Sequence, residues 1–155
     1  MSKVKIRHAQ ATLGLAALAS LVGCSQGFDA TLPLADGVFQ AVSEPDEDGA
    51  VGSITITITD GAVIDAVFVM IQRDGTVKDE SYGTGVDATV TNSEYYTKAQ
   101  LAVAACEVYA RQLVEVGDPG EVDVVAGATW AHGQFVEAAE EALRQAQQVA
   151  SQSGK

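Results

Sequence analysis

Residues 122–133, VDVVAGATWAHG, combine residue types and a spacing that suit covalent attachment chemistry. Asp123 leads the segment, and Thr129 closes it with a hydroxyl. Gly127 and Ala128 carry almost no side chain, so the backbone can turn tightly there and a bulky group can reach the Thr129 oxygen without a steric wall. The residues alone leave a second reading open, an ordinary glycine-containing loop ahead of the last helix.

Other chemistry-bearing residues point to less. Cys106 lies in the alanine-rich run LAVAACEVYA, where a small core thiol of low reactivity is expected beside the alternative of a functional one. Neither His8 nor His132 has a Cys or His neighbour at ligand spacing, so no metal site is expected there. The acidic stretch 43–50, SEPDEDGA, reads as a solvated turn. Its acids could also meet a calcium ion, although they lack the EF-hand spacing.

The N-terminus suggests where the chain works. Lys3, Lys5 and Arg7 precede an uncharged apolar run over 9–22, which ends in LVGC at Cys24. At about 1.5 Å per residue the run would form a helix of about 21 Å, short of the roughly 30 Å of hydrocarbon that a spanning helix crosses. The pattern resembles a lipoprotein signal. That likeness implies cleavage after residue 23, a diacylglycerol on the Cys24 sulfur, and attachment to the extracytoplasmic face of a cell membrane. Two acyl chains hold a protein on a bilayer far more firmly than one. The alternative is a plain buried cysteine at the end of an apolar helix. With Cys24 lipidated only Cys106 remains, so stability must come from packing rather than a disulfide.

Removing residues 1–23 takes three of nine basic residues and none of 21 acidic ones, leaving a mature net charge of −15. Phosphate backbones and anionic lipid surfaces repel such a body, which argues against nucleic-acid binding and against lying flat on a membrane. Residues 24–35 read as a linker from the anchor, with Gly27 and Pro33 as breakers, or as an extra edge strand over 31–34. The chain from 36 to 151 is long enough for one domain with a sizeable core.

Periodicity divides that domain into sheet and helices. In GSITITITD (52–60), Ile54, Ile56 and Ile58 share one face and Thr55, Thr57 and Thr59 the other, as in a half-buried strand. Asp60 and Gly61 then form a hairpin signal. The return strand, 62–72, is largely apolar on both faces, which predicts a strand central in the sheet or covered on both sides. A shorter strand is expected over 38–42. Thr91, Asn92, Ser93 and Glu94 read as a capping box opening a helix with Leu101, Ala105, Val108 and Leu113 inward, which stops at 117–120. A second helix is predicted over 134–151 with Phe135, Ala139, Ala142 or Leu143, Ala146 and Val149 as its apolar stripe and its glutamates early. Tyr95, Tyr96 and Tyr109 fall on the first helix as interface and core fillers. The expected fold class is α+β, a single domain with an antiparallel sheet, its long hairpin packed against two main helices.

Several landmarks fall in one order: DGVF at 36–39, the hairpin GSITITITDGAVIDAVFV, DGTVK at 74–78, and VDVVAGAT at 122–129 ahead of a helix. The chain resembles the bacterial FMN-binding domain family over roughly 36–150. Members include periplasmic subunits of sodium-pumping NADH:quinone oxidoreductases and Rnf-type complexes, and surface lipoproteins that carry electrons out of the cell. The family motif is close to D-x-x-[ST]-G-A-[TS], and covalent members carry FMN joined by its phosphate to the closing hydroxyl. The resemblance implies FMN on Thr129, with Asp123 as the leading acid and Gly127 and Ala128 as the small pair. Ala126 stands where the family has Ser or Thr, and Trp130, Ala131 and His132 replace a commoner x-Thr-Ser continuation.

It further implies that Trp130 either stacks on the flavin ring or anchors the core. Lys78 matches a lysine of the lipoprotein members and would offset the flavin phosphate, or is an exposed turn lysine. The implied function is a membrane-anchored redox carrier rather than a self-contained enzyme. It would be matured by an FMN transferase and relay electrons between membrane donors and extracytoplasmic acceptors. The alternatives are a lipoprotein holding flavin noncovalently for sensing or delivery, and a cofactor-free surface interaction protein.

Overall fold

The computed structural model describes residues 28–154. The signal and Cys24 lie outside the described residues. Three strands, β1 (Gly37–Val42), β2 (Val51–Thr59) and β3 (Ala62–Ile71), form an antiparallel sheet in the order β1-β2-β3. Two long helices follow, α1 (Ser93–Val116) and α2 (Thr129–Ser153), with a single 3-10 turn at Pro119–Glu121 between them. This is the α+β domain that the sequence predicts.

The threonine-isoleucine alternation of β2 sets the core. Ile54, Ile56 and Ile58 are buried on the face that both helices cover. Each buried isoleucine contributes about 1.5–3 kcal/mol relative to exposure. Asp60 and Gly61 both adopt positive φ, as the tight β2-β3 hairpin requires, and the Gly61 amide donates to the Asp36 carboxylate at 3.0 Å.

β3 departs from expectation. It is neither central nor covered on both sides, because β2 takes the middle of the sheet. A register shift between Thr57 and Ile58 leaves Ile64 without a partner, so the inward parity changes along the strand. Val63 therefore joins Phe68 and Met70 in the core, while Ile64 and Val67 stay exposed. The apolar composition of both faces records this bulge and an uncovered outer face.

Asn92 rather than Thr91 caps α1, its side-chain oxygen accepting the Tyr95 amide at 3.0 Å. Gly117, at φ +73, ends the helix and donates to Leu113 O. The inward stripe of α1 runs through Ala105, Cys106, Tyr109, Ala110 and Leu113, and Leu101 is exposed. Helix α2 starts five residues before the predicted boundary. Phe135, Ala139, Ala142, Leu143 and Ala146 are fully buried, as its periodicity requires, but Val149 is exposed. Because the start moves to Thr129, no acidic residue lies in the first turn.

Aromatic contacts tie the layers together. Phe68 of β3 meets Phe135 of α2 edge-on at 5.3 Å, and Tyr109 of α1 lies 5.4 Å from Phe135 and 5.2 Å from His132. The described part of the expected linker forms no strand. Phe28 and Leu34 pack on the core, the Ala35 amide donates to Ala146 O, and the Gln147 side chain donates to Asp29 O.

Candidate functional site

Thr129 is the first residue of α2, and it is exposed. The preceding chain crosses from the 3-10 turn to α2 as a short strap, and each part of the strap is held. The Asp123 amide donates to Gln112 Oε1 at 2.8 Å, and His132 Nε2 lies 2.9 Å from Val122 O. The Ala128 amide donates to Val125 O at 3.0 Å, which closes a four-residue turn with Gly127 at φ +84.

Two groups of α1 fix that turn. The Tyr109 hydroxyl accepts the Val125 amide at 3.2 Å and donates to Ala128 O at 3.1 Å. A Cβ on Gly127 would come within 2.7 Å of Leu101 Cδ2, so the turn lies directly against that leucine. Burial raises the Tyr109 pKa, which keeps the phenol protonated and able to donate. From the sequence alone Tyr109 reads as an interface or core filler, and His132 has no assigned role. A buried tyrosine needs a partner for its hydroxyl, and that requirement was the available signal.

The N-terminus of α2 is open. Its N-cap is Ala128, no side chain caps the helix, and no acid occupies the first turn. The first-turn amides therefore lack a side-chain cap, and with the positive end of the helix dipole they make a setting that favours a negatively charged group near Thr129.

Other expected site residues are spread out. Trp130 is 76% exposed, which rules out the core-anchor reading. Asp123 is exposed, and no hydrogen bond joins its carboxylate to the Thr129 hydroxyl among the described residues. Lys78 is half-buried with its ammonium 4.9 Å from the centre of the Tyr82 ring. It lines a cleft with Arg73, Tyr82 and Tyr95 that is lined by none of Asp123, Gly127, Ala128, Thr129 or Trp130. Cys106 is buried and its Sγ donates to Ala102 O, and burial pushes its thiol up to about 11.

No protein-family model and no curated protein matches the chain. Two solved structures are similar to it. The crystal structure of the CPE2226 protein from Clostridium perfringens matches with a TM-score of 0.59 and 20% identity, over 74% of this chain and 90% of that one. A solution structure from Clostridium thermocellum matches with a TM-score of 0.41 and 24% identity, over 72% and 91%. The first likeness shows that the three-strand, two-helix fold recurs in a solved protein.

Proposed function

We propose that the protein is a lipid-anchored, extracytoplasmic electron-transfer flavoprotein carrying FMN esterified through its phosphate to Thr129 Oγ1. It would be a redox carrier rather than a self-contained catalyst. The observation that carries the reading is the exposed Thr129 at an uncapped, acid-free helix N-terminus, within the D-x-x-x-G-A-T order of residues 123–129.

The residues present fit such a group. Exposure gives a modifying transferase access to the hydroxyl, and the small side chains of Gly127 and Ala128 leave the approach open. First-turn amides of α2 would hold the phosphate oxygens, offsetting their charge in an acidic protein. Tyr109 and Leu101 keep the strap in place while Trp130, exposed beside the acceptor, offers a flat surface for a ring. When bound, FMN supplies one- and two-electron transfer. A covalent tether would prevent loss of the cofactor by dilution outside the cell. Cys24 would hold the domain on the membrane, within reach of membrane donors and extracytoplasmic acceptors.

Co-production with an exported FMN transferase tests the reading. Yellow fluorescence is expected to stay with the chain through denaturing electrophoresis, to vanish in Thr129→Ala and to persist in Thr129→Ser. Ala126, in place of the family's serine or threonine, favours a second reading in which flavin is held without a bond. Pigment that leaves the chain on denaturation would select that reading, and colourless protein after flavin is supplied would reject both.

A further inference from the structure

Five basic side chains fall among the described residues, and three are paired within a helix: Lys98 with Glu94, Arg111 with Glu107, and Arg144 with Glu141. The other two, Arg73 and Lys78, meet no carboxylate at salt-bridge distance among the described residues, although the chain holds 21 acids. Both sit on one turn. The Gln72 amide donates to Thr76 O and the Lys78 amide to Met70 O, each at 2.8 Å, so the turn projects from the end of β3 as a short hairpin.

Arg73 and Lys78 line the same open cleft, of about 610 Å³, with Tyr82 and Tyr95. Gly49 leaves room for the Arg73 stem, since a Cβ there would lie 3.0 Å from Arg73 Cδ. The Lys78 ammonium stands over the Tyr82 ring, which orients it. Two carboxylates also line the cleft. The Asp74 carboxylate accepts the Thr76 amide at 2.9 Å, and Asp48 is exposed at the rim.

We infer that this cleft binds a planar aromatic oxyanion, a carboxylate or phosphomonoester carried on a ring, with Arg73 and Lys78 on the oxyanion and Tyr82 and Tyr95 beside the ring. Lys78 is half-buried with no carboxylate at ion-pair distance among the described residues, and a bound oxyanion would make the direct charge contact that the more distant Asp48 and Asp74 do not. The cleft has room for an anion that carries a body, since sites of about 300–1,000 Å³ suit small organic molecules. Asp48 and Asp74 offset the two cations, which disfavours polyanions. The acidic surface elsewhere does not prevent binding, since repulsion between exposed charges is largely screened beyond about 8 Å at physiological salt.

This inference stands apart from the flavin reading. Amide chemical shifts of the full chain, in wild-type and Thr129→Ala forms, would be followed during titration with benzoate, phenyl phosphate and inorganic phosphate. Saturable shifts at 48–50, 72–78, 82 and 95 are expected with benzoate or phenyl phosphate in both forms, and the tighter of these two probes identifies the oxyanion. Arg73→Gln with Lys78→Gln should weaken binding by about tenfold or more, a loss of about 1.4 kcal/mol at least. Lys98→Gln should leave it unchanged. The inference is overturned if neither aromatic probe saturates, if inorganic phosphate binds as tightly as phenyl phosphate, or if Lys98→Gln weakens binding as much as the double variant.

Discussion

At the scale of single residues, exposure and backbone angle separate groups that composition treats alike. Trp130 and Phe135 are both aromatic residues near the start of α2, yet Phe135 is fully buried and Trp130 is 76% exposed. Trp130→Phe should change stability by no more than about 0.5 kcal/mol, as for a surface position in thermal unfolding. If the ring stacks on the flavin, the same substitution shifts the flavin absorbance or midpoint potential, and unchanged values of both would remove Trp130 from the site. Gly127 is the opposite case, a position where the smallest side chain is required. Gly127→Ala meets a positive φ and Leu101 Cδ2 together, so it should cost about 1–3 kcal/mol by denaturant unfolding. A neutral Gly127→Ala would show that the turn is not pinned against α1.

At the scale of elements, the strap between α1 and α2 depends on Tyr109. Its hydroxyl serves both ends of the turn, so Tyr109→Phe leaves the Val125 amide and the Ala128 carbonyl each without that partner. The expected loss is about 1–3 kcal/mol. Hydrogen exchange should rise at Val125 ahead of the core amides of β2, and equal protection in the variant would mean that the turn holds itself. The β2-β3 hairpin was legible in the sequence because period-two alternation and an Asp-Gly turn are local signals. The start of α2 was not. Thr129, Trp130, His132 and Gly133 are poor helix formers, so local propensity starts the helix only at 134. Packing of Ala131 and the Tyr109–His132 contact extend it to Thr129. The parity change in β3 was hidden for a related reason, since a bulge is set by pairing with β2 and leaves a run of apolar residues that reads as two buried faces.

At the scale of the whole molecule, two helices cover one face of a three-stranded sheet and leave the other, valine- and threonine-rich face in contact with solvent. Fold class followed from the order of strands and helices. Of the candidate site, the small turn at Gly127 and Ala128 is a local signal that the sequence carries, whereas the exposure of Thr129 and Trp130 and the distance of Lys78 from the turn depend on tertiary placement. No helix among the described residues is long and apolar enough to cross a membrane. The same domain brings Arg73, Lys78 and two tyrosines into one cleft apart from Thr129, so cofactor attachment and small-ligand binding would occupy separate places on it.

Intact-mass and peptide-mass spectrometry of natively produced protein tests the central claim most directly. The account predicts a chain beginning at a lipidated Cys24 and bearing one FMN less one water on the peptide that contains Thr129. An unmodified Thr129 peptide, with no flavin released from the same material, would contradict it.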